Sequence, residues 1–219
     1  MFIGHYAAAF AARAVKPAIP LWQLFVAVQL VDFAWAGLVL AGIEKMRVTK
    51  GFMEASMLDL HHMPYTHSLV SAVVWAIAAG VLYAALRRGA NKWMAGAIIA
   101  GAVFSHWLLD LVVHVPDLEL WPGGMRVGFG LWNNYPVALA VEFGVLLGGF
   151  VLYLRMTEAK GLIGRIWPWV FMALLALAEF ANHAAPIPED MEMAGYMGTA
   201  TFLVLTALAG ICDLTRKTR

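Results

Sequence analysis

Charged residues are scarce in this chain of 219 residues. They make up 13% of it, and the 15 Lys and Arg nearly balance the 14 Asp and Glu. A soluble domain carries about 25% charged residues, so this supply is too small to cover a surface that faces water. The formal net charge of +1 also excludes the basic excess on which nucleic-acid binding depends. We therefore expect a membrane protein without a nucleic-acid partner.

Cysteine is nearly absent, because Cys212 is the only one in the chain. A single thiol excludes an internal disulfide framework and the zinc and haem motifs that are built on cysteine. Any metal would therefore be held by histidines and carboxylates. The sequence also lacks repeats, low-complexity runs and linkers, so we expect a single domain over residues 1–219.

Apolar residues, by contrast, make up 62% of the chain. Six stretches are long enough to cross about 30 Å of hydrocarbon as helices: Pro20 to Gly42, Ser68 to Leu86, Trp93 to Val115, Tyr135 to Leu154, Ile166 to Ala181 and Gly195 to Ile211. A seventh, Phe2 to Val15, is short, and its basic residues follow it, which is the reverse of a signal peptide. The pattern predicts an all-α polytopic membrane bundle of six to seven transmembrane helices.

Loop charge predicts the orientation, because cytoplasmic loops carry an excess of Lys and Arg. One side of the membrane receives Arg13, Lys16, Arg87, Arg88, Lys92, Arg155, Lys160, Arg165, Arg216, Lys217 and Arg219. The other side receives Lys45, Arg47, Lys50 and Arg126, together with the acidic loop Pro188, Glu189, Asp190 and Glu192. We therefore expect an integral protein of a bacterial inner or plasma membrane, with its N-terminus outside and its C-terminus in the cytoplasm.

Ionisable residues occur inside several of these predicted helices, where a charged side chain costs about 2.5–3.5 kcal/mol on insertion scales. With Phe2 to Val15 counted as the first helix, Asp32 lies in the middle of the second and Glu142 lies in the fifth. His106, Asp110 and His114 form an H-x3-D-x3-H run in the fourth, so their side chains share one helix face. Intramembrane ionisable groups are functional candidates by default.

The orientation from loop charge places all these groups in the outward half of the bundle. The same half receives His5, near the start of the chain, and His62 and His67 at the entrance to the third helix. Imidazoles and carboxylates are ligands of Zn²⁺ and other divalent first-row metals. The sequence therefore predicts a metal site near the outer membrane face, where water can reach it.

Several of these residues resemble the YdjM-type family of membrane-bound metal-dependent hydrolases. The likeness rests on Thr66-His67-Ser68-Leu69 with His62 before it, on Ser105-His106 with Asp110 four residues later, and on Leu120-Trp121-Pro122. It covers most of the first four or five helices. The family's H-R-x-x-T-H-S element has Met63 here in place of its arginine, and only Asp32 corresponds to its P-D-x-D element.

The order of candidate ligands is also similar to that of zinc-dependent phospholipase C. That resemblance implies His5, Asp32, His62 or His67, and His106 with Asp110 as ligands, followed by His114 and Glu142. The reaction class that it implies is hydrolysis of a phosphoester.

These observations favour a metal-dependent hydrolase that cleaves a phosphoester or ester of a lipid or lipid-linked substrate. We expect one or two divalent ions, preferably Zn²⁺, held by six residues: His5, Asp32, His62, His67, His106 and Asp110. His114 or a neighbouring carboxylate, Glu142 or Asp117, would move the proton.

Other interpretations of the same residues stay open. The cluster could form a proton or metal conduit in a transporter, or belong to a seven-helix zinc amidase resembling alkaline ceramidases. His106 and Asp110 could instead tie helices together by a hydrogen bond. His67 could be a solvated residue beside a helix that is capped by Thr66 or Ser68. Glu179 and His183 are expected to line the bundle without a role in the chemistry.

Overall fold

The structure is a computed structural model, and it describes residues 1–15, 19–184 and 191–219. Its helices are α1 (Tyr6–Arg13), α2 (Leu21–Val28), α3 (Leu30–Leu40), α4 (Leu69–Leu86), α5 (Lys92–Val113), α6 (Tyr135–Met156), α7 (Leu162–Ala184) and α8 (Met191–Thr215). Its strands are β1 (Lys45–Val48), β2 (Leu58–His62), β3 (Leu118–Glu119), β4 (Arg126–Val127), β5 (Thr157–Ala159) and β6 (Arg216–Thr218). Lys16 and the part of the acidic loop from Pro188 to Asp190 lie outside the described residues.

Five of these helices, α4 to α8, are long and apolar enough to cross a membrane. The predicted all-α bundle is confirmed to the extent that its helices could cross a membrane. The stretch from Pro20 to Gly42 differs from the single straight helix that we expected, because α2 and α3 meet at an angle of 49° and count as a sixth span only when taken together. Gln29 separates them with a backbone (φ −107°, ψ 6°) outside the helical region.

The bend at Gln29 matters for the site, because it makes Asp32 a first-turn residue of α3. The carbonyl of Gln29 accepts the backbone N–H of Phe33 at 2.9 Å, which starts the new helix.

Three short antiparallel ladders were not predicted. The two long segments between apolar stretches, Glu44 to His67 and Pro116 to Asn134, contain the pairs β1–β2 and β3–β4, and β5 pairs with β6 near the C-terminus. Small ladders of this kind satisfy backbone groups between helices, where the chain has no other regular partner.

Close helix contacts depend on glycines at two crossings. A Cβ atom on Gly80 of α4 would lie 2.7 Å from the carbonyl oxygen of Gly96 on α5, and the reverse distance is 2.5 Å. Gly149 of α6 faces the backbone of Ala7 on α1 in the same way. Such small residues let membrane helices approach each other closely. The second crossing fixes the short helix α1, and therefore His5 just before it, against α6.

Aromatic rings fill the core below His5. Phe10 of α1 lies edge-on to Phe25 and to Phe150, with centroids 5.5 Å apart in each pair, and Phe25 packs against Phe171 at 5.4 Å. All four side chains are fully buried.

The opposite end of the bundle is held by buried charges near the C-terminus. Arg216 donates to the hydroxyl and carbonyl oxygens of Thr157, both at 2.9 Å, and to the carbonyl of Gly164 at 2.7 Å. Asp213 accepts the backbone N–H of Leu21 at 2.9 Å, so it caps the start of α2, and it also pairs with Arg13.

Candidate metal centre

Four side chains from three segments meet inside the bundle. Asp32 lies in the first turn of α3, and His67 comes two residues before α4. His106 and Asp110 lie four residues apart on α5, and both are buried. His67 Nε2 is 3.3 Å from Asp32 Oδ1 and 3.8 Å from Asp110 Oδ2. His106 Nε2 is 3.4 Å from Asp32 Oδ1 and 3.0 Å from Asp110 Oδ2.

These distances match the spacing of ligand atoms around one small cation. Zn²⁺ binds nitrogen and oxygen ligands at about 2.0–2.1 Å in a tetrahedron, which places the ligand atoms about 3.3 Å from one another. Asp32, His67 and His106 form one group whose candidate ligand atoms all lie within 4.8 Å, and His5, His106 and Asp110 form a second. The two groups share His106.

The ring nitrogen of His106 that faces away from the cluster, Nδ1, has a partner that determines where the ring proton lies. Nδ1 is 2.7 Å from the backbone carbonyl oxygen of Val28. A carbonyl only accepts hydrogen bonds, so Nδ1 carries the proton and a neutral ring keeps its lone pair on Nε2. His106 Nε2 is buried and has no hydrogen-bond partner among the described residues, although two carboxylate oxygens lie within 3.4 Å.

His114 repeats this arrangement with a different partner. It comes directly after α5, and its Nδ1 lies 2.9 Å from Asp117 Oδ1. Its Nε2 points back toward the cluster and lies 3.8 Å from Asp110 Oδ1. An imidazole that donates its outer N–H to a carboxylate or carbonyl is the usual arrangement of a metal-binding or proton-transferring histidine.

The second oxygen of Asp110 has its own neighbours. Oδ1 lies 2.6 Å from the amino group of Met1 and 3.1 Å from His5 Nε2. The ring of His5 stacks on that of His106, with centroids 3.8 Å apart and planes within 5° of parallel. The two oxygens of Asp110 therefore have different neighbours: Oδ2 faces His67 and His106, whereas Oδ1 faces the Met1 amino group and His5.

A cavity of about 820 Å³ opens beside the cluster. Asp32, His67, Asp110 and His114 lie in its wall. Within the cluster of Asp32, His67, His106 and Asp110, the side chain of Asp32 is the most exposed, with 18% of its surface accessible. The rest of the wall is mostly apolar and comes from α3, the loop between β1 and β2, α7 and α8. A ligand in this cavity would reach the cluster from the side of Asp32.

Three predicted site residues have other positions or contacts. His62 lies on β2, paired with Lys45 of β1, and its side chain is exposed. It is part of neither candidate group. His62 is the last residue of β2, and the chain reaches the cluster only five residues later, at His67. His62 as a ligand therefore stays a prediction, and the cluster described here does not include it.

Glu142 and Asp117 hold other parts of the site in place. Glu142 is buried on α6 and accepts the backbone N–H groups of Phe2 and Gly4 at 3.0 Å. It therefore anchors the segment that carries His5. Asp117 contacts His114 Nδ1 and orients that ring. The contacts of both residues hold other parts of the cluster in place, and their part in proton transfer stays a prediction.

Other contacts were missed by the sequence reasoning. Glu44 and Thr66 form a hydrogen-bonded chain to His67. Trp107 is buried and donates to the backbone carbonyl of His67 at 3.0 Å. Glu44 follows an apolar stretch and resembles any loop acid, so no sequence signal distinguished it. Ser68 does cap α4, as one of the two predicted candidates, by accepting the backbone N–H of Ser71 at 3.2 Å.

Comparisons of this chain with protein-family models, with curated proteins and with solved structures find no match.

Proposed function

We propose that this chain is a membrane-embedded, metal-dependent hydrolase that cleaves a phosphoester or ester of a lipid or lipid-linked substrate. One observation carries the proposal. In the neutral ring His106 Nε2 carries the lone pair, and it lies 3.0 Å and 3.4 Å from two carboxylate oxygens without a hydrogen-bond partner among the described residues. Acceptors held this close together in a buried site repel one another, and a cation bound between them would remove that repulsion.

Asp32, His67, His106 and Asp110 would hold that cation. Two imidazoles and two carboxylates favour Zn²⁺ or a neighbouring first-row ion over Ca²⁺ and Mg²⁺, which prefer oxygen ligands alone. A bound ion of this kind lowers the pKa of a coordinated water to about 7. The cavity reaches this group from the side of Asp32, where substrate and water would enter.

His114 is the best-placed group for proton transfer. Asp117 fixes its Nδ1–H, and its Nε2 faces the cluster from the cavity wall. It would accept a proton from the attacking water and return it to the leaving group. Asp117 would stabilise the charged imidazole, as the carboxylate does in Ser-His-Asp triads.

The lining of the cavity supports an amphiphilic substrate. Apolar residues of α7 and α8, among them Ala178, Ala194 and Phe202, lie in its wall together with the ionisable cluster. Because α7 and α8 are candidate membrane spans, an acyl or polyprenyl chain would remain in an apolar environment while its polar ester reached the cluster.

The packed aromatic core disfavours the alternative of an ion or proton conduit. Phe10, Phe25, Phe150 and Phe171 fill the bundle on the other side of His5 from the cluster, and none is exposed. A conduit needs polar groups or water across the whole membrane.

We further propose that the cluster lies near the outer face of a bacterial inner membrane, with the C-terminus in the cytoplasm. Cysteine substitution tests this with a membrane-impermeant maleimide on spheroplasts. Lys50→Cys should be labelled from outside, whereas Lys160→Cys should be labelled only after lysis. Both positions are exposed, and the natural Cys212 is buried. The opposite labelling pattern would reverse the orientation.

The central experiment is metal analysis of the detergent-purified protein. We expect about one tightly bound divalent ion per chain, lost in Asp110→Asn and retained in Glu119→Gln, a buried glutamate of the β3–β4 pair. The same proteins are then incubated with vesicles of mixed bacterial lipids, and the products are identified by mass spectrometry. A phosphorylated head group indicates phosphoester cleavage, and a free fatty acid indicates ester cleavage. A wild-type protein without metal, or one whose hydrolysis survives Asp110→Asn, would refute the proposal.

A further inference from the structure

Glu44 is a buried carboxylate that lies outside the cluster. It follows α3 and precedes β1, and only 1% of its surface is exposed. One oxygen, Oε1, accepts the backbone N–H groups of Tyr65 and Thr66 at 2.7 Å and 3.0 Å. The other, Oε2, lies 2.6 Å from the hydroxyl of Thr66. With donors at both oxygens, Glu44 acts as an acceptor only.

The hydroxyl of Thr66 has a second neighbour, Nδ1 of His67, at 2.7 Å. A hydroxyl carries one proton. Because the hydroxyl donates that proton in a hydrogen bond to the carboxylate of Glu44, the oxygen of Thr66 must accept a hydrogen bond from the Nδ1–H group of His67. Both hydrogen bonds therefore run in the same direction: His67 Nδ1–H donates to the hydroxyl of Thr66, and that hydroxyl donates to Glu44.

We infer that Glu44, acting through Thr66, is a positioning residue that keeps His67 in the Nδ1–H tautomer and so presents its Nε2 lone pair to the cluster. His67 Nε2 lies 3.3 Å from Asp32 Oδ1. In the other tautomer, Nε2–H would donate to Asp32 and occupy the position of a cation. The effect on cation binding rests on the proposed function, whereas the tautomer itself does not.

The backbone of His67 is held separately from this chain of hydrogen bonds. Its N–H donates to the carbonyl of Met63 at 3.0 Å, and its carbonyl accepts from Trp107 at 3.0 Å. A change at Glu44 that keeps the same shape should therefore move a proton and leave the imidazole in place.

The substitution Glu44→Gln provides the test. The single amide oxygen is needed by the N–H groups of Tyr65 and Thr66, so the NH₂ group must face the Thr66 hydroxyl and donate to it. The hydroxyl proton is then free to turn toward His67 Nδ1, and the imidazole proton should move to Nε2. Ring ¹⁵N chemical shifts of the metal-free protein report this directly, with His67→Gln used to assign the signals among the seven histidines.

We expect Nδ1–H in the wild type and Nε2–H in Glu44→Gln. Competition with a chelator should show about 10- to 100-fold weaker Zn²⁺ binding by the variant, the usual effect of losing a partner of a ligating histidine. Thr66→Val should shift the tautomer in the same direction, whereas Thr66→Ser should behave as the wild type. Glu119→Gln, which replaces a buried glutamate elsewhere, is the matched control.

An unchanged tautomer in both Glu44→Gln and Thr66→Val, or Nε2–H in the wild type, would overturn the inference. If one variant fails to fold, the other decides. A tautomer that switches in a protein that binds no divalent ion would uphold the role of Glu44 and refute the proposed function, so the two failures are distinguishable.

Discussion

His106 Nε2 and Asp110 Oδ2 lie 3.0 Å apart, one helical turn from each other, and no hydrogen bond joins them. The carbonyl of Val28 holds the outer nitrogen of the ring at 2.7 Å, so the imidazole cannot turn away without losing that bond. This pair is the centre of the candidate metal site.

Divalent ions should stabilise the folded protein. A ligand that binds only the native state at 100 times its Kd adds about 2.7 kcal/mol to the free energy of unfolding. We expect Zn²⁺ to raise the melting temperature of the chelator-treated protein and Asp32→Asn to abolish this rise. His62→Gln, which changes an exposed histidine, should keep it. Equal shifts in all three proteins would indicate non-specific binding.

Asp117→Asn should separate proton transfer from metal binding. An asparagine can donate its NH₂ group to His114 Nδ1 and so favour the wrong tautomer of the ring. The corresponding change in a Ser-His-Asp triad lowers kcat by about 10⁴, and we expect a loss of 10² to 10⁴ here. Metal content should stay at the wild-type value. A loss of metal together with activity would instead make His114 a ligand.

Adjacent glycines on α6 give a matched pair for the packing of α1. A Cβ on Gly149 would collide with the backbone of Ala7, whereas the same atom on Gly148 meets open space. We expect Gly149→Ala to lower the free energy of unfolding by about 1–3 kcal/mol, the usual cost of overpacking. It should also weaken Zn²⁺ binding by displacing His5, whose ring stacks on that of the proposed ligand His106. Gly148→Ala should change neither. Thermal unfolding and chelator competition measure both effects.

The C-terminal ladder provides a second matched pair. Arg216 is buried and donates three hydrogen bonds, of which the two N–H donors of a glutamine can replace at most two. Since a hydrogen bond to a charged group contributes about 1.5–3 kcal/mol, Arg216→Gln should cost roughly 2–4 kcal/mol. Its neighbour Lys217 pairs with Glu158 at 2.9 Å, and both side chains are about half exposed or more. Screening by water keeps such pairs weak, so Lys217→Gln should leave the melting temperature unchanged.

The same exposed pair predicts the sign of a small pH effect. The hydrogen bond and charge of Lys217 lower the pKa of the Glu158 carboxyl. A lowered pKa in the folded state stabilises the protein above the ordinary pKa of the group, and this contribution is lost as the pH falls. Comparing wild type and Lys217→Gln between neutral and acidic pH should show at most a slight convergence at low pH.

Much of the architecture could be predicted, because the signals for it are local. Apolar runs interrupted by Arg and Lys indicate where helices begin and end, and the interval of four residues from His106 to Asp110 indicates a shared face. The bend at Gln29 could not be predicted, since an amide in an apolar stretch carries no breaking signal of the kind that Pro or Gly supplies. Without that bend, Asp32 was expected in the middle of one long helix.

The sequence by itself determined that the protein is a bundle of helices apolar enough to cross a membrane, and which residue types could bind a cation, because composition and helical spacing depend on each segment alone. Only the tertiary structure decided that His67 belongs to the cluster and His62 does not, and that Glu44, Thr66 and Asp117 support the imidazoles from outside. The contacts of His67 with Asp32 and Asp110, and of Glu44 with Thr66, join segments far apart in the chain. The distance between two such side chains depends on packing that no single segment encodes.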